Sequence, residues 1–357
     1  MLIYIIIFTY LLLMAMIDFV IKKDSLYNYL YFLFAIFIFF VAGFRAMGND
    51  YDGYEEIFKE IKNLSFFQIL DPSKVFVEPF FTVLNISLSG FPYQTILIVM
   101  AAANILVLFP FFLKYSPYPY VTLLFFSGMF LYSGIMGSIR QSLALAICLW
   151  AMVNYNNKKF WWLLFVAAMF HYTAVLVLIV RFLKNEYYSR KTYITIIVMA
   201  ICSNLLFYEI FKRLIVFLPA VVTWKLEIYL ATEEGTHFGL NAAVAIRLFT
   251  FILAYTYRDK IQEKFPKYGA IFLNIYFLSL VLYLGLGFLP QAAVRGSIYY
   301  LYVELLLVPM ILYVSNTKNR IWIFTLYTLF SVWRHYEMIT VYGETYMPYK
   351  TMLFDLL

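Results

Sequence analysis

Five arginines and one histidine stand within, or at the outer ends of, long apolar segments: Arg45, Arg140, Arg247, Arg295, Arg334 and His171. An arginine near the centre of a bilayer costs about 2.5–3.5 kcal/mol on insertion scales, so a set of them calls for a polar cavity or a bound anion. Arg247 sits in the middle of Ala-Ala-Val-Ala-Ile-Arg-Leu, and Arg140 follows Gly137-Ser138, where helices can approach closely. Glu304 is the clearest carboxylate at matching depth. Few acidic partners and several guanidinium groups point to an anionic ligand, because the guanidinium fork matches phosphate oxygens two at a time. Taken singly, each arginine has another use: snorkelling to the interface or bonding to backbone carbonyls.

Three further places offer chemistry. The stretch Gly43-Phe44-Arg45-Ala46-Met47-Gly48-Asn49-Asp50-Tyr51-Asp52-Gly53-Tyr54 has the residues of a tight turn, which would gather Arg45, Asp50, Tyr51 and Tyr54 at the outer surface. A carboxylate beside two tyrosines suits hydroxyl recognition or general-base work; a polar turn with interfacial tyrosines would use the same residues. Glu78 precedes Pro79 at the start of an apolar stretch, which fits either a functional carboxylate or a residue that simply opens a helix. His171 lies in Ala-Met-Phe-His-Tyr-Thr-Ala, where a lone histidine is more often a hydrogen-bonded packing residue. His237 and His335 read as solvated. Asp50-Tyr51-Asp52 has the form of an acidic metal triplet, yet no acidic cluster surrounds it, and no metal or other cofactor is expected.

The elements that must position these residues are membrane helices. Hydrophobic residues make up 64% of 357 positions and charged ones 13%, about half the charged share of a soluble domain, roughly 25%. Leu2–Val20, Tyr29–Phe44, Tyr193–Tyr208 and Ile271–Phe288 are almost free of charge, and each approaches the length a helix needs to cross about 30 Å of hydrocarbon. Period-two alternation is absent, which excludes a transmembrane barrel. The expected fold is all-α and polytopic, with about ten to twelve spans in one domain. The spans fall at 1–21, 27–44, 93–113, 119–135, 138–153, 192–208, 240–257, 268–288, 297–315 and 320–333; segments 75–91 and 160–182 are ambiguous. The first segment lacks a basic flank and a small-residue cleavage site, so it reads as a retained span.

Basic loops set the orientation. Lys22-Lys23, Arg181–Lys191, Arg258–Lys267 and Lys318–Arg320 belong on the cytoplasmic side. Loops of about 45–92 and 209–239, with the tail 334–357, then face outward. If 75–91 and 160–182 are re-entrant or interfacial, Lys114 and Lys158-Lys159 also become cytoplasmic and Arg140 moves to the outer half; charge bias favours this version. The net charge of +7 is accounted for by such loops and not by nucleic acid. Cys148 and Cys202 lie in apolar segments without disulfide or metal-ligand spacing. Phosphate-cradling glycine loops, His-Glu-x-x-His and Gly-x-Ser-x-Gly are all missing from the sequence.

Four short blocks occur in order: Gly-Phe-Arg-x-x-Gly-x-Asp-Tyr-x-x-Tyr at 43–54, Val-Glu-Pro-Phe-Phe at 77–81, Ser-Ile-Arg-Gln-Ser-Leu-Ala at 138–144, and Ala-x-x-Phe-His-Tyr-Thr-Ala at 167–174. With a closing Tyr-Met-Pro-Tyr-Lys at 346–350, they resemble the EpsG family, which groups with the Wzy-type polysaccharide polymerases of bacterial inner membranes. The resemblance covers roughly the first half of the chain by motif, and the second half mainly by hydropathy. It implies a helical membrane fold like that of GT-C-type glycosyltransferases and no nucleotide sugar. It implies that undecaprenyl-pyrophosphate-linked oligosaccharides serve as donor and acceptor, outside the inner membrane, with a chain-length regulator as a further partner. On this resemblance Arg140 with Arg247 or Arg295 would hold the pyrophosphate. Arg45, Asp50, Tyr51 and Tyr54 would shape the acceptor side, and Gln141, Tyr349 and Lys350 would contact substrate. Glu78, Asp50 and His171 are the candidates for the general base. A flippase for the same lipids, an O-antigen ligase-type transferase and a membrane acyltransferase are the competing readings. Flippases are usually longer and built from two related halves, and an acyltransferase calls for paired histidines.

Overall fold

A computed structural model describes residues 1–21, 23–62, 64, 68, 77–214, 217 and 242–354. Most of the loop expected at 209–239, with its His237, and the last three residues of the tail lie outside the described residues. Among the described residues the chain is helical, and its extended pairing is confined to one isolated bridge between Arg45 and Thr351. Contacts divide the chain into two compact units: Met1–Val175 with Ser315–Leu357, and Leu176–Val314.

The first unit contains α1 (Leu2–Ile17), α2 (Ser25–Gly43), α3 (Tyr51–Ile61), α4 (Pro79–Ser87), α5 (Gln94–Tyr115) and α6 (Pro119–Phe126), the last continuing as a π-helix over Ser127–Ile135. Next come α7 (Ile139–Val153) and α8 (Lys159–Phe170), followed by a 3-10 helix over Tyr172–Phe182 within which the unit boundary falls. The second unit holds α9 (Arg190–Leu214), α10 (Ala242–Thr256), α11 (Arg258–Lys264), α12 (Gly269–Gly285), α13 (Pro290–Leu301) and α14 (Glu304–Val314). The chain returns to the first unit through α15 (Thr317–Thr340) and the short α16 (Gly343–Tyr346).

Helix lengths differ from the expected spans. α2 and α5 are long and apolar enough to cross a membrane, and α13 with α14, bent by 47°, forms a third candidate. The other apolar helices run 10–17 residues, and a 16-residue helix rises only about 24 Å. Pro79 opens α4 within the ambiguous segment 75–91, and the break at His171 divides the ambiguous segment 160–182. Nine-residue α4 rises about 14 Å and cannot cross. α15 runs unbroken through Arg334 to Thr340, so the tail begins later than residue 334.

The first unit is joined by tyrosines as much as by aliphatic side chains. Asp18 accepts from the Tyr27 hydroxyl (2.6 Å) and the Val121 amide (2.9 Å), and the Tyr120 ring packs against Tyr10, Tyr27 and Tyr31. The tail crosses the exit of α2: the Ala46 amide donates to the Lys350 carbonyl (3.0 Å) and the Met352 amide to the Phe44 carbonyl (2.9 Å). α15 crosses the π-helix at Gly128, where a Cβ would stand 3.0 Å from Ser331 Cα. Backbone there cannot yield as a side chain would, so Gly128→Val is expected to cost about 1–3 kcal/mol. A wild-type melting midpoint for the detergent-solubilised variant would contradict that close crossing.

A candidate active site at the ends of three helices

Within the first unit, α3 touches α4, α4 packs on α8, and α8 packs on α7. Three helix ends therefore meet. Glu78 is the residue before Pro79, which opens α4 with its φ already helical. Arg140 is in the first turn of α7. His171 takes an extended backbone (φ −157°, ψ 114°) that ends α8, while its amide still bonds to the Ala167 carbonyl (2.9 Å).

The three side chains form one cluster, with Glu78 buried and Arg140 and His171 partly exposed. Glu78 Oε1 is 2.7 Å from His171 Nδ1, and Glu78 Oε2 accepts a hydrogen bond from Arg140 Nη1. Arg140 is also stacked against aromatic faces, its Cζ 5.4 Å from the ring centres of Tyr54 and Phe81. Such contacts favour the cation where water is scarce. Burial opposes the charge on Glu78. The His171 hydrogen bond and the nearby Arg140 charge outweigh it and hold the carboxyl below its ordinary range. Glu78 is therefore an ionised acceptor at neutral pH.

The turn at 43–54 closes over this cluster. Gly48 (φ +120°) and Asp50 (φ +61°) both occupy left-handed backbone, and α3 starts at the next residue. Asp50 is exposed and accepts from the Ser138 hydroxyl (3.2 Å), which ties the turn to the start of α7. Tyr51 is half-buried, and its carbonyl accepts from the Tyr93 hydroxyl (3.0 Å).

Two members of the turn are not where the sequence placed them. Tyr54 and Arg45, expected at the outer surface, are both buried, Arg45 with 0% exposure. Arg45 donates to the Met47 carbonyl (3.1 Å), while its Nε and Nη2 have no hydrogen-bond partner among the described residues. The turn folds inward over its own arginine, because the tail pairs with Phe44 and Ala46 on either side of it. The expected shortage of acidic partners also fails in two cases. Arg140 meets Glu78, 62 positions away, and Arg334 pairs with Glu337 on the next turn of α15. His335, read as solvated, is buried with Nδ1 on the Ser331 carbonyl (2.8 Å), since α15 continues past it.

The remaining candidates divide between the two units. Gln141 is half-buried beside Arg140 in sequence. The Tyr349 hydroxyl donates to the Val41 carbonyl (2.8 Å), and Lys350 has an exposed side chain. Arg295 is exposed in the second unit. Arg247, also in the second unit, donates to Ser297 Oγ (2.9 Å) and the Ser279 carbonyl (3.3 Å), and lies 4.0 Å over the Tyr283 ring. Glu304 accepts from Thr250 there (2.8 Å). Sequence reasoning missed Ser138, Phe81 and Tyr93 as members of the site. Ser138 and Phe81 stand inside two of the four blocks, whereas no local pattern marks Tyr93. Among the described residues, no group of three or more His, Cys, Asp or Glu gathers as metal ligands would.

A family model described as the EpsG family matches residues 28–351, nearly the whole chain. Neither a curated protein nor a solved structure matches it.

Proposed function

The chain belongs to the EpsG family, whose members are Wzy-type polymerase-like, and from that premise we propose that it polymerises lipid-linked oligosaccharide repeat units. The growing chain on undecaprenyl pyrophosphate is the donor. A hydroxyl of the next lipid-linked unit attacks the anomeric carbon on the outer side of the bacterial inner membrane.

That reaction needs two things from the protein. Negative charge develops on the departing pyrophosphate and is stabilised by a fixed cation, while the attacking hydroxyl must lose a proton. The observation that carries the reading is the Arg140–Glu78–His171 cluster, which puts a guanidinium, a carboxylate and an imidazole together where helix ends meet. Asp50, exposed and held by Ser138, suits a sugar hydroxyl next to it. The apolar helices around the cluster suit a substrate whose carrier is itself a lipid.

The test is reconstitution. Purified protein in nanodiscs, given its lipid-linked repeat unit with no nucleotide, metal or other enzyme, is expected to produce a ladder on a gel. Substrate binding without a ladder would remove the polymerase reading. A flippase or a ligase would then be separated by adding candidate acceptors one at a time.

A further inference from the structure

On the reading that this cluster is the polymerase site, we propose that Glu78 is a positioning residue: it holds His171 in the tautomer protonated on Nδ1, and so makes Nε2 the base that takes the proton of the acceptor hydroxyl. An ionised carboxylate only accepts hydrogen bonds, so the hydrogen in the 2.7 Å contact belongs to the imidazole. With Nδ1 carrying that hydrogen, Nε2 of the neutral ring holds the free lone pair. Both carboxylate oxygens are occupied, one by His171 and one by Arg140, which prevents the group from turning. Pro79 fixes the backbone immediately behind it.

Exposure separates the two candidates for the base. The Glu78 side chain is 6% exposed and the His171 side chain 19%. Substrate can reach the ring; the carboxylate acts through it. Asp50 is a weaker choice, because its carboxylate accepts from the Ser138 hydroxyl and takes no part in the Arg140–Glu78–His171 contacts. The titratable groups around the ring are Glu78 from α4, Arg140 from α7 with Tyr54 of α3 packed on it, and Tyr172 next in the chain.

The step balances. The acceptor oxygen bonds to the anomeric carbon as that carbon's bond to the pyrophosphate oxygen breaks, and the bonding pair leaves with the pyrophosphate. The hydroxyl proton moves to His171 Nε2, and the carboxylate of Glu78 stabilises the imidazolium that forms.

The chain has three histidines, so protein labelled with 15N in the imidazole gives few ring signals, and loss of one set in His171→Asn assigns them. Solid-state NMR in nanodiscs without substrate is expected to show His171 protonated on Nδ1 and bare on Nε2 at neutral pH. Glu78→Gln is expected to mix the tautomers, to lower the rate about 10²-fold, and to move the acidic limb of the rate profile to lower pH. Glu78→Asp should restore part of the rate. A proton on Nε2 in the resting protein would overturn the proposal, as would a Glu78→Gln variant with unchanged tautomer and unchanged acidic limb. The tautomer is read without turnover, so a missing product ladder would defeat the polymerase reading and leave this test standing.

Discussion

Arg140→Ala is expected to lower polymer output about 10²–10³-fold in a complementation assay, the range seen when one fixed stabiliser of transition-state charge is removed. The measurement needs a control for folding. Arg140 is the hydrogen-bond partner of a carboxylate only 6% exposed, and removing one member of a buried pair costs about 3–5 kcal/mol by itself. The charge-neutral double exchange Glu78→Gln with Arg140→Gln removes that imbalance. If the double variant regains stability and still falls well below Glu78→Gln alone in rate, Arg140 acts in the chemistry. If its rate equals that of Glu78→Gln alone, Arg140 serves the fold and the leaving group is held by other groups. Arg140→Lys should recover only part of the rate, since a point charge cannot reproduce the two-pronged contact of guanidinium with phosphate. Arg247 is a contrasting case. Its hydrogen bonds go to a hydroxyl and a carbonyl and it lies over a ring, while the buried Glu304 carboxylate interacts with its charge without a direct ion pair among the described residues.

Gly48→Ala is the second large effect. At φ +120° an L side chain is strained, at a cost of about 1–3 kcal/mol. An added Cβ would also stand 2.4 Å from the carbonyl oxygen of Met136, and relieving that overlap costs about 1–3 kcal/mol more. Met136 lies just before the Gly137-Ser138 link into α7, so the strain falls on the segment that carries Ser138 and Arg140. The variant should melt well below wild type, and what remains folded should polymerise poorly. Gly53→Ala is the matched control, because a Cβ there meets nothing within 4 Å. Equal melting points for the two variants would mean that the 43–54 turn does not rest on Met136.

The four blocks show how much of the site was legible. Glu78, Arg140 and His171 could each be named from the sequence, because a charged residue in an apolar stretch is conspicuous wherever it folds. Their mutual contact was not legible. Glu78 and His171 are separated by 93 positions, and no local pattern specifies which helix ends meet. For the same reason the arginines read as partnerless. An ion pair between two helix ends looks like two separate anomalies until packing brings its halves together. The tyrosines were misread in another way. Tyr54, expected at the outer surface, is buried, and so are Tyr27, Tyr120 and Tyr132, which composition cannot distinguish from an interfacial belt.

By itself the sequence determined the chemical class of this protein: an all-helical membrane chain, because apolar runs of this length satisfy their backbone groups in lipid only as helices. It also determined which side chains are available for chemistry. Tertiary structure decided the rest. It opened a short helix at Pro79 within the ambiguous segment 75–91, broke the ambiguous segment 160–182 at His171, and interrupted the expected span 297–315 between Leu301 and Glu304. It folded the turn at 43–54 beneath the tail, so that Arg45 is buried and Asp50 is not. It joined Arg140 and His171 through one carboxylate. The division has a physical cause. Helix formation and lipid solubility depend on neighbours within a turn or two, whereas an ion pair between helix ends depends on the packing of every element between them.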